Sequence, residues 1–271
     1  MKQKIKRIVR GLAPPVLLDI YRYYFNSSAY IGNYRSWDEA RRNSGGYDSD
    51  IILNKVKDAL LRVKNGDSAC ERDSVLFDKV QYSWPLLSGL LWIASRSNNK
   101  LNLIDFGGSL GSSYFQNRRF FKHLHDFTWN VVEQGRFVEC GRRNFEDEHL
   151  KFYYRIDECL KEQQVNTILL SSVLQYLEKP YDLLTEIIGT KFEYLLFDRT
   201  PFLYTGDDRI TIQKVPAEIY EASYPSWFFN QNKFLDFIAN SYKLVADFES
   251  NDRTDIPVVF KGYIFKLRDD A

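Results

Sequence analysis

Cysteine, histidine and long apolar runs are scarce in this chain. Its 271 residues include three cysteines, Cys70, Cys140 and Cys159, odd in number, far apart and without CxxC spacing. That pattern excludes a disulfide framework and a zinc ribbon, and it points to a reducing compartment. His123, His125 and His149 form no HExxH or similar ligand pattern, so no metal is expected. No apolar run nears the ~20 residues of a membrane span, and no signal peptide is visible, so the expected location is the cytoplasm. A bias of charge is missing too. Lys and Arg number 37 against 36 Asp and Glu, a net +1, which excludes a general nucleic-acid binder. No internal repeat appears, and no linker divides the chain.

Aromatic residues are plentiful at 16%, mostly Phe and Tyr. They serve the core first, and a pocket for a flat or sugar-like ligand second. A chain of this length buries about three quarters of its unfolded surface, so its core needs no covalent staples. The N-terminus is locally basic, with Lys2, Lys4, Lys6, Arg7 and Arg10 ahead of Pro14 and Pro15. An apolar, tyrosine-rich segment follows. The pair reads as a solvated tail and a packing helix, and it also suits a weak, reversible contact with a membrane surface.

The stretch from Leu101 to Ser113, LNLIDFGGSLGSS, organises the rest. Leu101, Leu103, Ile104 and Phe106 make the apolar run of a strand buried on both faces of a parallel sheet. Asp105 closes it, and Gly107, Gly108, Ser109 and Gly111 follow. Glycines there allow a sharp turn and close approach of a ligand to the backbone. Ser112 is placed to cap the next helix. Strand, glycine turn and helix start together make a ligand site at the carboxyl end of a sheet. The nicotinamide fingerprint GxGxxG does not fit, because the spacing is G-G-S-L-G.

The remaining elements follow in order. Ser36 and Glu39 fit a capping box. Amphipathic helices are expected from Asp50 to about Asn65 and from Ser74 to Ser95, the second one divided at Pro85. FTWNVV is a second strand ending at Glu133, near the ~20-residue interval at which a βαβ unit places a ribose-binding acid. LKFYY is a third strand followed by Asp157, which suits both an adenine contact and a helix cap. NTILL is a fourth strand, leading into Ser171, Ser172 and Tyr176. FEYLLF is a fifth, with a tip at Asp198-Arg199-Thr200-Pro201. A loop-rich insertion at about 201–230 carries Tyr220, Tyr224 and Trp227, and a closing antiparallel hairpin ends the chain.

The D-x-G-x-x-x-G arrangement resembles motif I of class I S-adenosylmethionine (SAM) methyltransferases, with Ser109 at the middle glycine. DFGGSLGSSYFQ, VVEQ, SSVLQYLEKP, FDRTPF and YPSWFF together resemble a family of bacterial methyltransferases associated with surface polysaccharide such as O-antigen or capsule. The resemblance implies a Rossmann-like α/β fold: a seven-stranded sheet, mostly parallel, with an antiparallel final hairpin. Residues 1–98 would be a helical extension or lid, with Phe77 and Tyr82 over the cofactor, and 99–271 the SAM-binding domain. It implies a SAM site of Asp105, Gly107, Gly108, Ser109, Gly111, Glu133, Asp157, Ser171 and Ser172, with S-adenosylhomocysteine (SAH) as product. Tyr176 stands where many relatives carry His, so no imidazole base carries over.

The expected reaction is O-methylation of a sugar or lipid-linked glycan. Asp198 is then the base and Tyr176 an orienting group. Arg199 is an orienting group or an anion binder, and Tyr220, Tyr224 and Trp227 stack on the sugar. Pairing of Asp198 with Arg199 and packing of the three aromatics are the structural alternatives. A non-catalytic binding or scaffold protein on the same fold, and a methyltransferase acting on a different small molecule, are the functional ones.

Overall fold

The computed structural model describes residues 29–46, 49–72, 75–77, 80, 82–215, 222–250, 252, 254 and 256–269. The basic N-terminal segment and Tyr220 lie outside them.

The chain opens with β1 (Ala29–Tyr34), α1 (Trp37–Arg42), α2 (Ser49–Lys64), the hairpin β2 (Cys70–Arg72) and β3 (Val75–Phe77), and α3 (Trp84–Arg96). Among the described residues the extension therefore carries three strands beside its helices. The expected helix over Ser74–Ser95 starts late, because Pro85 occupies its first turn instead of breaking its middle. At α1 the Ser36 hydroxyl accepts from the Glu39 N–H at 3.2 Å, and the Glu39 carboxylate accepts from the Arg35 N–H at 2.8 Å.

Alternating strands and helices follow: β4 (Lys100–Phe106), α4 (Ser112–Asn117), β5 (Asp126–Val132), α5 (Gly135–Asn144), β6 (Leu150–Tyr153), α6 (Ile156–Glu162), β7 (Thr167–Ser171), α7 (Pro180–Thr190) and β8 (Tyr194–Leu203). The chain continues through β9 (Arg209–Lys214), β10 (Ser223–Asn230), α8 (Gln231–Ala239), β11 (Tyr242–Glu249) and β12 (Val259–Leu267).

Seven strands lie in the order β6-β5-β4-β7-β8-β12-β11. The first five are mutually parallel, and β12 runs antiparallel to both β8 and β11. The order reverses between β4 and β7, and in open α/β sheets such a switch point opens a ligand crevice at the strand carboxyl ends. Period-two alternation assigns the two faces. Leu101, Leu103, Trp129 and Val131 join the core under α2, α3 and α5, while Ile104, Val132, Ile168 and Leu170 join the core under α6, α7 and α8.

Three strands lie beyond the expected seven, making ten in all. β8 does not stop at Phe197 but runs on to Leu203, so Asp198 lies within a strand and not at a loop tip. Its last residues, Phe202 and Leu203, pair in parallel with β10; β10 pairs with β9, and β9 with β1. The insertion is thus an antiparallel arm, completed by a strand from the N-terminal extension. Strand β9 reads RITIQK and is buried from Ile210 to Gln213, so neither face is open to solvent.

Candidate active site

The glycine turn after β4 is built over a carboxylate. Asp105 is 1% exposed, and its Oδ2 accepts from the Trp129 indole N–H at 2.9 Å. A Cβ on Gly108 would stand 2.5 Å from the Asp105 Cγ. Gly107 has φ +72, and a Cβ there would meet Val173 Cγ2 at 2.3 Å, so the turn after β4 packs its backbone directly on the Val173 side chain beyond β7. Ser109, at the family's middle glycine, takes the left-handed φ of 55°, a conformation that glycine adopts without steric cost. Burial pushes the Asp105 carboxyl up to about 7; the Trp129 hydrogen bond opposes this, and the charge of Glu133 adds to it. Glu133 sits half-buried at the end of β5, where burial raises its own pKa against the Gln134 N–H that its carboxylate accepts. Gly107 ties the two tips together by donating to the Val132 carbonyl at 2.9 Å.

The expected cap at Ser112 is not formed. Gly111 holds the N-cap position, and the Ser112 hydroxyl donates instead to Glu71, a buried carboxylate on β2. Hairpin β2–β3 thereby pins the N-terminal extension to the start of the helix after the glycine turn. Phe77 is the last residue of that hairpin, and the Tyr82 ring packs on Trp84 and Phe120, with Arg119 over it.

Across the switch point, Ser171 and Asp198 are register partners on β7 and β8, and the Ser171 hydroxyl donates to Asp198 Oδ2 at 3.0 Å. Asp198 is 1% exposed. Ser172 and Arg199 both have φ 54, and Ser172 N–H donates to the Asp198 carbonyl at 2.9 Å. Gln175 Nε2 bridges the two bends, reaching the Ser172 hydroxyl at 3.2 Å and the Arg199 carbonyl at 3.3 Å. Two non-glycine residues in left-handed backbone, one just past β7 and its neighbour within β8, cost on the order of 1–3 kcal/mol each, and such strain clusters at working sites.

Asp105, the glycine turn, Glu133, Ser171 and Ser172 thus lie at the carboxyl ends of β4, β5 and β7, with Asp198 beside Ser171 within β8. The other expected residues take these places. Asp157 is exposed and ion-paired with Arg155 at 2.7 Å, which holds its carboxyl below the usual range. Arg199 pairs not with Asp198 but in bidentate fashion with Asp252, both contacts at 3.0 Å. The Tyr176 hydroxyl donates to Gln213 Oε1 at 2.8 Å, turned to the arm. The Trp227 indole donates to the Leu177 carbonyl at 3.0 Å, and its ring lies parallel to Trp37, so Trp227 packs the arm. Tyr224 does face the β7 tip, its ring perpendicular to Tyr176 at 5.3 Å.

Trp129, Glu71, Tyr30 and Asp252 carry no signal in the sequence. Trp129 acts on Asp105 24 positions away, Glu71 on Ser112 at 41, Asp252 on Arg199 at 53, and Tyr30 on the still more distant Tyr176, and no local motif announces that. Among the described residues no group of His, Cys, Asp and Glu could hold a metal ion, and no helix is long and apolar enough to cross a membrane.

The donor set fits a particular ligand chemistry. Two neighbouring carboxylates, both disfavoured by burial, are relieved by a cation or by hydroxyl donors. SAM offers an ammonium and a sulfonium at one end and a ribose diol beside it.

No family model and no curated protein matches the sequence. Solved structures match its fold. The N-terminal domain of EvdMO1, determined with SAH and D-fucose, superposes with TM-score 0.50 at 9% identity over 82% of this chain and 98% of that one. LepI in complex with SAM matches at TM-score 0.46 and 16% identity over 68% of this chain; the chain spans 47% of the length of LepI. The 1,6-didemethyltoxoflavin-N1-methyltransferase of Burkholderia thailandensis, with its substrate and SAH, matches at TM-score 0.46 and 10% identity over 90% of this chain and 100% of that one. The fold is the Rossmann-like α/β fold of the class I SAM-dependent methyltransferases, enlarged by the arm of β10, β9 and β1.

Proposed function

We propose that the chain is a SAM-dependent methyltransferase whose acceptor is a hydroxyl of a sugar or lipid-linked glycan. The observation that carries this reading is the pair of burial-raised carboxylates, Asp105 and Glu133, beside a glycine turn in which a Cβ on Gly107 or Gly108 would clash with Val173 or with Asp105 itself. Asp105 receives the cationic methionine end, Glu133 the ribose hydroxyls, and Ser171 and Ser172 flank the methionine portion. When bound, SAM supplies the activated methyl group.

The chain's own part is alignment and proton removal. A sugar hydroxyl is a weak nucleophile. Asp198, screened from water and held by Ser171, takes its proton as the new C–O bond forms, which is worth about 10²–10⁴ in rate. The sugar acceptor has its support in the aromatic and neutral polar lining of the arm, and the D-fucose found with the EvdMO1 domain is in keeping with it. A role in surface-polysaccharide synthesis rests on the motif resemblance.

The test is calorimetry with SAH, followed by incubation of the purified protein with labelled SAM and extracted glycan precursors. Loss of SAH binding in both Glu133→Ala and Gly107→Val, with label in a glycan for the wild type, supports the reading. Unimpaired binding in both variants removes the site.

A further inference from the structure

The arm has two unlike faces. On one, Ile210 and Ile212 pack against Ala40 and Trp37 of α1. On the other, Tyr30 and Tyr224 are both register partners of Gln213, so residues of three strands, β1, β9 and β10, stand in one row. The next pair along, Thr211 and Ser226, continues it. The row meets the β7 tip at Tyr176. Tyr30 hydrogen-bonds the Tyr176 hydroxyl, and Tyr176 donates onward to Gln213 at 2.8 Å. Tyr30 and Gln213 are each 7% exposed, whereas Tyr176 and Tyr224 are half-buried. Ser226 is fully buried, and its Oγ has no hydrogen-bond partner among the described residues.

The cations at this wall already have hydrogen-bond partners, and Arg199 has a counter-ion. Arg199 is clasped by both oxygens of Asp252, which also accepts from the Ser250 hydroxyl at 3.2 Å, and Arg209 on β9 is turned to the Gly32 carbonyl. An incoming carboxylate or phosphate would have to displace Asp252 and leave that half-buried carboxylate uncompensated, which cancels what it gains from the guanidinium. Neutral hydroxyls pay no such penalty, and aromatic faces suit the apolar faces of a sugar ring.

We infer that the arm is the wall that selects the methyl acceptor, and that the acceptor is a neutral polyhydroxylated ring and not an anion. Tyr176 and Tyr224 face it, while Tyr30 and Gln213 are positioning residues that hold Tyr176. The inference rests on the methyl-transfer reading of the adjoining cleft, and it gives the N-terminal strand β1 a part in specificity.

D-fucose, D-galactose and D-galacturonate share one ring configuration and differ at C6: methyl, hydroxymethyl and carboxylate. They are titrated into the full-length protein saturated with SAH, followed by calorimetry and saturation-transfer NMR. The two neutral sugars should bind about tenfold or more tighter than galacturonate, and Asp252→Asn should erase most of that preference by freeing the Arg199 guanidinium. Tyr30→Phe and Gln213→Met should each weaken the neutral sugars by about fivefold or more while SAH affinity stays within about twofold, a split that general destabilisation does not produce. Should Tyr30→Phe lower the yield of folded protein, Gln213→Met decides alone. Galacturonate binding as tightly as galactose, no binding of any neutral sugar, or unchanged sugar affinity in the variants overturns the inference. Failure of SAH itself to bind overturns the cofactor reading instead, and the same sugar titrations on the free protein then judge the wall separately.

Discussion

Asp105 should make cofactor binding depend on pH in a defined direction. Its carboxyl is pushed up to about 7, from an ordinary 3.8, by burial under the glycine turn. At neutral pH the free protein therefore holds it about half protonated. A cationic ligand end placed beside it favours the ionised form, so binding must expel the proton. For a bound-state pKa below about 5, proton release is about 0.9 at pH 6, about 0.5 at pH 7 and about 0.1 at pH 8. Affinity then rises about tenfold from pH 6 to pH 8, equivalent to about 1.4 kcal/mol.

Calorimetric titration with SAH, in buffers of different ionisation enthalpy, reads both quantities. Asp105→Asn preserves an acceptor for Trp129 and serves as the control, because its profile should lose this tenfold rise. The same group acts on stability with the opposite pH trend. Its folded pKa lies above its unfolded one, so the folded state binds the extra proton. The stability gained is complete below about pH 4 and is lost as pH rises through 7, a loss on the order of 4 kcal/mol for the ligand-free protein. A wild-type affinity that is flat from pH 6 to 8, with no buffer-dependent heat at pH 6, refutes the placement of a cation at Asp105.

Three further outcomes are expected. Trp129→Phe removes the one hydrogen bond that lowers the Asp105 pKa, so the proton-release profile should move to higher pH and thermal stability fall by about 1–3 kcal/mol; an unmoved profile counts against the pairing. Glu133→Ala should weaken SAH by about a hundredfold or more, since charged hydrogen bonds contribute about 1.5–3 kcal/mol each, and an equilibrium titration checks it. Asp198→Asn should keep SAH affinity while turnover with labelled SAM falls by about 10²–10⁴, and equal turnover excludes Asp198 as the base.

Local patterns carried the parallel core. Apolar runs such as LNLIDF and NTILL announce strands buried on both faces, and the carboxylate-glycine-glycine turn after the first announces a crevice at its tip, because both signals depend on neighbours in sequence. Thus Asp105, Gly107 and Glu133 are suggested by the turn and the strand-end acid and Ser171 by the motif resemblance, whereas Asp198, expected at a strand tip, lies within β8 because that strand continues to Leu203. What the tertiary structure alone decided depends on contacts between segments far apart in the chain. The alternation of RITIQK fits an exposed strand as well as a buried one, and only pairing with Ala29–Tyr34 turns Gln213 towards Tyr176. Arg199 reads as an available cation until Asp252 is brought beside it, 53 residues later in the chain. Trp129 reads as core, and only the parallel packing of β4 on β5 puts its indole N–H on the acid that the glycine turn encloses.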